Sequence, residues 1–276
     1  MSGRDADAWA DLDRELDAWA DAGRRAGLWW RDDDAGPVTP ALRRLLDLAA
    51  AKDAPLALAV IPAAAGDELA AVLAAHPAKA WVLQHGYAHR DHAPAGAKKC
   101  ELVDPAARPA LLDELSRGRA ILDGLCGAHA LPVLVPPWNR LAAGLTPRLP
   151  GLGFSGLSAC KARASAQPAP GLLQVNCHLD IMAWRPQRRF LGTGAALEAL
   201  TGHLAARRLG GADPEEPSGI LSHHQVHDDA AWDFLGTLLA RLAAHPGARL
   251  LTATEIFAAG TAARDAGRPT FRERTP

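Results

Sequence analysis

The chain has 276 residues, with 30 basic and 31 acidic side chains and a net charge of −1. This length is enough for one large α/β barrel or two modest domains, and the balanced charge excludes a general attraction to nucleic acid or to an anionic membrane. No apolar run approaches the roughly 20 residues of a membrane span, and no basic segment precedes an apolar one at the N-terminus, so we expect a cytoplasmic protein.

The first predicted element is an amphipathic helix over residues 5–25, with Trp9 and Trp19 on its apolar face. We expect residues 1–27 to form an N-terminal helix that packs on a barrel. At the other end, residues 261–276 are polar and rich in arginine, which predicts a disordered tail.

Between these ends, strand-like apolar runs alternate with helical patterns seven or eight times. The predicted strands are residues 28–31, 56–61, 81–83, 132–135, 153–158, 172–177, 220–222 and 249–252, and the predicted helices are residues 40–52, 67–75, 105–125, 193–209, 228–244 and 253–259. This alternation predicts a parallel sheet, most simply a barrel, over residues 28–260.

Polar side chains follow three of the predicted strands. They are the aspartates 32–34, the histidines His85, His89 and His92, and the segment 222–224 with His223 and His224. Because the carboxyl ends of all strands in a parallel barrel lie at the same end of the barrel, we expect these clusters to lie close together. Carboxylates and paired imidazoles are common ligands of divalent metals, so the sequence predicts a metal hydrolase site.

With these clusters in this order, the chain resembles the polysaccharide deacetylase family, the carbohydrate esterases that include chitin-oligosaccharide and peptidoglycan deacetylases. The resemblance covers residues 28–259 and rests on short motifs rather than on continuous similarity. It implies a distorted (β/α) barrel of seven or eight strands that uses a divalent metal to remove an acetyl group from a saccharide.

The resemblance also implies roles for individual residues. The family opens with two adjacent aspartates, a general base followed by a metal ligand, and Asp33 and Asp34 match this pair. A register of Asp32 and Asp33 is the alternative. The family's histidine pair matches His85 and His89, so Asp34, His85 and His89 are the expected ligands of zinc, with Co, Ni, Mn and Fe also compatible.

The closing motif of the family makes His223 the general acid and Leu221 a wall of the acyl pocket. We expect Trp138 and Trp184 to complete this apolar slot. The other expected substrate-binding residues are Asn139, Arg140 and Asp180.

Two positions depart from the family. The third motif normally contributes an arginine that orients the base, and here that position is Val135. The candidates for a replacement are Arg31, Arg140 and Arg185. In the fourth motif, Ala183 stands where the family has a second acidic residue.

These patterns predict a metal-dependent hydrolase that removes an N-acyl group, most simply acetyl, from an amino sugar or saccharide. One alternative keeps the barrel and the metal but acts on a non-sugar linear or cyclic amide. The other is a non-catalytic saccharide-binding barrel, which the changes at Val135 and Ala183 favour. The expected partner is a saccharide or a small amide, without nucleic acid or membrane, and the oligomeric state is left open.

Overall fold

The structure is a computed structural model, which describes residues 3–76 and 80–257. Its helices are α1 (Gly3–Asp21), α2 (Pro40–Ala51), α3 (Asp67–Ala74), α4 (Ala110–Cys126), α5 (Thr193–Leu209) and α6 (Asp229–Ala244), and residues 253–257 are also helical. Its strands are β1 (Ala26–Ala35), β2 (Leu56–Val60), β3 (Ala80–His85), β4 (Ala130–Val135), β5 (Gly156–Leu157), β6 (Leu173–Gln174), β7 (Leu179–Asp180), β8 (Met182–Ala183), β9 (Arg189–Phe190), β10 (Ser218–Ser222) and β11 (Ala248–Leu250).

The central sheet has the order β6–β5–β4–β3–β2–β1–β10–β7, with β11 beside β1, and its pairings are all parallel. Its two end strands, β6 and β7, belong to one stretch of chain, residues 173–180. Within this stretch, Cys177 N donates to Ala159 O on one side and His178 N donates to Gly219 O on the other. The stretch therefore closes the sheet into the distorted barrel that the sequence predicted.

Side chains alternate along β1 because successive residues of a strand face opposite sides of a sheet. Leu28 and Trp30 belong to the large apolar cluster between the sheet and its helices, whereas Trp29 belongs to a smaller cluster inside the barrel. The ring of Phe257 meets Trp29 edge-on, with centroids 6.1 Å apart. The barrel is therefore filled at the amino end of β1, and the carboxyl ends of the strands are left for polar side chains.

The strand β1 is longer than its predicted range of residues 28–31. It extends to Ala35, with an irregular register against β2 between Asp32 and Ala35. The three aspartates therefore lie within the strand rather than after it. Asp32 and Asp34 have partners on other strands or loops, and Asp33 is paired with Arg31 of the same strand. These contacts outweigh the low intrinsic strand propensity of aspartate.

The helix α1 packs against α5 and buries Trp9 and Trp19. It ends at Asp21, before the predicted end at residue 25, because Gly23 adopts a φ of 68°. Among the described residues, no helix is both long enough and apolar enough to cross a membrane. The predicted tail, residues 261–276, lies outside the described residues.

Candidate metal centre and active site

Three predicted metal ligands meet at the carboxyl rim of the barrel. Asp34 Oδ1 lies 3.1 Å from His85 Nε2 and 3.2 Å from His89 Nε2. Asp34 stands at the end of β1, His85 is the last residue of β3, and His89 lies in the loop that follows β3. The structure therefore brings together one carboxylate oxygen and two imidazole nitrogens from the ends of β1 and β3, which β2 separates in the sheet.

The hydrogen bonding of His85 suits a metal ligand. Its Nδ1 donates to Val135 O at 3.1 Å, so a neutral ring presents a lone pair at Nε2. That lone pair faces Asp34 Oδ1 at 3.1 Å. Two hydrogen-bond acceptors this close repel each other unless a metal ion lies between them or the imidazole carries a second proton. In a tetrahedral zinc site with bonds of about 2.1 Å, neighbouring ligand atoms are about 3.4 Å apart, close to the spacing found here.

Electrostatics also favour an ionised ligand at Asp34. Burial alone would raise the pKa of Asp34, but hydrogen bonds from His85 and His89 hold it well below its usual range. The positive charge of a protonated His223 also lowers the pKa of Asp34. Asp34 is therefore available as an anionic donor across the neutral pH range.

The backbone is strained around this cluster. Asp34, His89, Trp138 and Asn139 have φ values of 69°, 54°, 53° and 54°, in the left-handed region that side chains other than glycine rarely adopt. Such conformations cost of the order of 1–3 kcal/mol each and concentrate at binding and catalytic sites. The strain supports a functional role for this part of the rim.

The expected base, Asp33, lies inside the barrel in a bidentate pair with Arg31. Arg31 Nε donates to Asp33 Oδ1 at 2.8 Å, and Arg31 Nη2 donates to Asp33 Oδ2 at 3.0 Å. Both residues are on β1, two positions apart, and therefore on the same face of the strand. Of the three candidate arginines, Arg31 is thus the one that contacts Asp33, whereas Arg140 and Arg185 are exposed.

Arg31 is fully buried and makes further contacts that fix its position. Its Nη1 donates to Ser158 Oγ at 2.6 Å, and its Nη2 donates to Asn139 Oδ1 at 2.9 Å. Asn139, which we expected to bind substrate, therefore connects the loop after β4 to the pair formed by Arg31 and Asp33.

Asp32 faces away from the barrel interior. It accepts hydrogen bonds from Ser222 Oγ and His224 Nδ1, both at 2.5 Å. Burial alone would raise the pKa of Asp32, but the charge and hydrogen bond of His224 hold it low. The alternative register, Asp32 and Asp33, would need Asp33 to face His85, and it is Asp34 that does so.

The expected acid, His223, follows β10 on the other side of the rim. Its Nδ1 lies 3.8 Å from Asp180 Oδ1, and its ring meets Trp184 edge-on at 4.6 Å. Trp184 Nε1 in turn donates to Asp180 Oδ2 at 2.7 Å. The structure therefore groups His223 with two of the expected substrate-binding residues.

The remaining expected substrate-binding residues lie on the rim or beneath it. The Trp138 ring is 4.4 Å from that of His89. Leu221 is fully buried in the apolar cluster inside the barrel, below His223. Arg140 is exposed, and its Nη1 donates to Lys99 O at 2.9 Å.

Sequence reasoning missed Glu101, which supports the loop after β3. Its fully buried carboxylate accepts hydrogen bonds from Tyr87 N at 3.2 Å and Ala88 N at 2.7 Å. The sequence shows only that Glu101 is an acidic residue beside the apolar Leu102. It does not indicate that Glu101 contacts the backbone of Ala88, 13 positions earlier.

A second group of possible ligands, His178, His203 and Glu216, does not suit a metal. Gly219 N donates to His178 Nδ1 at 3.0 Å, so a neutral His178 carries its proton on Nε2, the atom 3.4 Å from Glu216 Oε2. The rings of His178 and His203 are stacked with centroids 3.5 Å apart. A metal ion bonds to an imidazole nitrogen in the plane of the ring, and one ion cannot lie in the planes of two stacked rings. The cluster at Asp34 is therefore the better metal site of the two.

No family model matches the chain, and no curated protein matches its sequence. Solved structures do match. A Mycobacterium smegmatis protein assigned to the polysaccharide deacetylases aligns over 90% of this chain and 94% of its own, with a TM-score of 0.57 and 16% identity.

Two further structures support the same assignment of fold. The peptidoglycan N-acetylglucosamine deacetylase Bc1960 aligns over 85% of this chain and 89% of its own, with a TM-score of 0.53 and 13% identity. The T48 deacetylase, solved with substrate, aligns over 85% of this chain and 92% of its own, with a TM-score of 0.51 and 18% identity. The chain therefore has the fold of the polysaccharide deacetylases, as its motifs predicted.

Proposed function

We propose that this protein is a metal-dependent hydrolase that removes an N-acyl group, most simply acetyl, from an amino sugar or saccharide. The observation that carries the proposal is the convergence of Asp34, His85 and His89 beside the buried pair of Asp33 and Arg31. Zinc is the ion that we propose first, because one carboxylate and two imidazoles are ligands that it favours. The cytoplasmic location stays a prediction.

The structures with a similar fold support acyl removal from a saccharide. One is a peptidoglycan N-acetylglucosamine deacetylase, and another is a deacetylase solved with its substrate. The rim of this chain places Trp138 beside His89 and Trp184 beside His223. We infer that these two rings flank the sugar and leave a narrow space for the acyl methyl group.

Asp33 is the residue that we propose as general base. A divalent ion held by Asp34, His85 and His89 would polarise the acyl carbonyl as a Lewis acid and acidify the attacking water. Asp33 would take the proton from that water, and the guanidinium of Arg31 holds its carboxylate in place at 2.8 and 3.0 Å. Because Arg31 is fully buried, water does not screen this pair.

His223 is the residue that we propose as general acid. It would donate a proton to the departing amine nitrogen, a role that histidine fills more often than any other side chain. Asp180 lies 3.8 Å from its Nδ1 and Trp184 packs against its ring, so both residues limit the rotation of the imidazole. Within residues 3–76 and 80–257, Nε2 on the far side of the ring makes no hydrogen bond, so it can face the leaving group.

The non-catalytic alternative loses part of its support. It rested on the missing arginine of the third motif and the missing acidic residue of the fourth. Arg31 now provides a bidentate guanidinium contact to Asp33 from within β1, and Asp180 faces His223. The second enzymatic alternative, a non-sugar amide as substrate, is distinguished by comparing acetate release from N-acetylated sugars with turnover of cyclic amides.

The test is the variant Asp33→Asn, which keeps the shape of the side chain and removes its basicity. We expect it to retain the metal, measured by elemental analysis, and to lose about 10²–10⁴-fold in kcat for acetate release from N-acetylglucosamine oligomers. The variant His89→Ala should instead lose the metal.

The matched control is Asp7→Asn, which removes an exposed carboxylate from α1. It should leave both the metal content and kcat unchanged. Full activity in Asp33→Asn, or equal metal content in His89→Ala and the unaltered protein, would contradict the proposal.

A further inference from the structure

Each tryptophan that flanks the candidate site has a cation above its ring. Lys99 Nζ lies 5.8 Å from the ring centroid of Trp138, and Arg188 Cζ lies 5.9 Å from that of Trp184. The two rings contact His89 and His223, which stand on different sides of the centre. Positive charge is therefore present on both sides of the space proposed for the substrate.

On the Trp138 side, the positive charge continues into an open depression of about 570 Å³. Lys98 and Arg140 line this depression, which begins at Asn139, the residue that contacts Arg31. Asp104 also lines it, but its Oδ1 already accepts a hydrogen bond from Ala106 N at 2.8 Å. The depression is thus a cationic extension of the candidate active site.

On the Trp184 side, the positive charge comes from the β8–β9 hairpin. Arg185, Arg188 and Arg189 are all exposed there, and Trp184 itself is 40% exposed. The nearby carboxylate of Asp228 accepts hydrogen bonds from Phe190 N and Ala231 N, so it caps backbone groups.

The six cations have no carboxylate partner within 4.0 Å among residues 3–76 and 80–257. They are Lys98, Lys99, Arg140, Arg185, Arg188 and Arg189, and we name them the basic rim. Some other exposed cations, such as Arg14 and Arg43, are paired with carboxylates. Others, such as Arg24 and Arg148, also have no carboxylate within 4.0 Å among the described residues, so the basic rim is distinguished by its position at the candidate site. In a chain of net charge −1, six unpaired cations around one site create a local positive field that attracts anions.

We propose that the substrate is an acylated amino sugar that carries an anionic group, a phosphate or a carboxylate, which the basic rim binds. This inference rests on the proposed function and adds the substrate class. The acyl group lies at the centre formed by Asp34, His85 and His89, and the anionic group lies beside Lys99 or Arg188, the cations above the two tryptophan rings. Arginine and lysine both bind phosphate, and arginine binds carboxylate in a bidentate manner.

The first experiment compares three monosaccharides with the metal-loaded protein: N-acetylglucosamine, N-acetylglucosamine 1-phosphate and N-acetylmuramic acid. We expect kcat/KM for at least one anionic sugar to exceed that for the neutral sugar about tenfold or more at low ionic strength. This preference should shrink as salt is added, because exposed charges are screened. The two anionic sugars distinguish a phosphate from a carboxylate as the recognised group.

The second experiment removes single charges from the basic rim. Arg188→Gln and Lys98→Gln test its two sides, and we expect at least one of them to raise KM for the anionic sugar about two- to fivefold with kcat unchanged. The same variants should raise KM for the neutral sugar less than they raise KM for the anionic sugar. Arg4→Gln, which removes an exposed cation from α1, is the matched control and should change neither substrate.

Equal kcat/KM for neutral and anionic sugars, without salt dependence, would overturn the basic rim proposal and leave the deacetylase proposal intact. If none of the three sugars releases acetate, calorimetric titration with them decides the rim proposal. The deacetylase proposal fails only if N-acetylglucosamine oligomers also release no acetate. Tighter, salt-dependent binding of an anionic sugar supports the rim proposal. Equal or absent binding of all three overturns it.

Discussion

At the scale of single residues, the most informative one is Arg31. Burial alone would lower the pKa of Arg31, but the carboxylate of Asp33 raises it above its usual value, so the guanidinium remains charged. Removing one member of a buried pair leaves an uncompensated charge, which costs about 3–5 kcal/mol. The pair is therefore expected to be sensitive to any substitution at either residue.

The variant Arg31→Lys keeps the positive charge and removes the planar fork that contacts both oxygens of Asp33. We expect kcat to fall about 10²-fold with little change in KM, because Asp33, the proposed base, loses its fixed orientation. The control is Arg25→Lys, since Arg25 also makes a forked contact, to Ala248 O, away from the site. Arg25→Lys should lower the melting temperature and leave kcat unchanged. An unchanged kcat in Arg31→Lys would show that Arg31 does not position Asp33 for the reaction.

The sequence was sufficient to predict which residues meet at the candidate site. It was insufficient to predict which side chains they contact, such as the arginine that pairs with Asp33. The spacing of His85 and His89 and the aspartates after an apolar run pointed to the cluster that the structure contains. The choice among three arginines depended on which side chains face the barrel interior. That is a property of the strand register, which the sequence alone left open.

At the scale of elements, the loop that follows β3 is held by contacts that act on its backbone. Gly86 has a φ of 56°, and a Cβ at this position would lie 1.9 Å from Glu101 Oε2. Gln84 Nε2 donates to Gly86 O at 3.0 Å from the opposite side. The path of the chain from His85 to His89 is thus set by side chains that do not touch the proposed metal.

The variant Glu101→Ala removes the acceptor for Tyr87 N and Ala88 N. We expect it to lower zinc affinity about 10–100-fold, because residues that support metal ligands typically contribute this much. Glu101→Gln, which keeps one carbonyl oxygen, should lose less. Zinc competition with a chromophoric chelator measures the affinity, and Glu68→Ala, which removes an exposed partner of Arg43, serves as control. Equal affinity in all these variants would show that Glu101 does not support the ligands.

Most elements were predictable because their apolar periodicity is strong, and the exceptions have local causes. The helix α2 begins as predicted, with Pro40 at its first position and Thr39 Oγ1 accepting from Leu42 N. The helix α4 begins at Ala110 rather than at the predicted residue 105, because a proline at position 109 disfavours helical geometry in Arg108. The strands β5 and β6 are only two residues long, since closure of the barrel interrupts regular pairing there.

At the scale of the whole molecule, the seam of the barrel encloses a polar group apart from the active site. His203 Nδ1 lies 2.8 Å from Ser218 Oγ, and its ring stacks on that of His178. Burial and the charge of His178 lower the pKa of His203 to about 3. His203 is therefore neutral in the folded protein at pH values where it is protonated in the unfolded chain.

This difference predicts how the free energy of unfolding depends on pH. The usual pKa of histidine is 6.5, so between pH 6.5 and about 3 the unfolded chain binds a proton that folded His203 does not. The contribution of His203 to stability is thus present above pH 6.5 and is lost as the pH falls through this window. Urea titrations from pH 7 to pH 4 should show a shallower decline for His203→Asn than for the unaltered protein, and parallel curves would contradict the assignment.

The three consecutive aspartates of β1 have different roles, so the protein should not tolerate the loss of any one of them. Deleting Asp32, Asp33 or Asp34 produces one and the same polypeptide, with two aspartates where there were three. His224, Arg31 and the paired imidazoles would then compete for two carboxylates, because a deletion shifts the last residues of β1, which ends at Ala35, to the opposite face of the strand. The shortened chain would still contain two adjacent aspartates and would match the short motif of the family. It would nevertheless lack one of three groups: the contact of Asp32 with β10, the proposed base Asp33 or the proposed metal ligand Asp34.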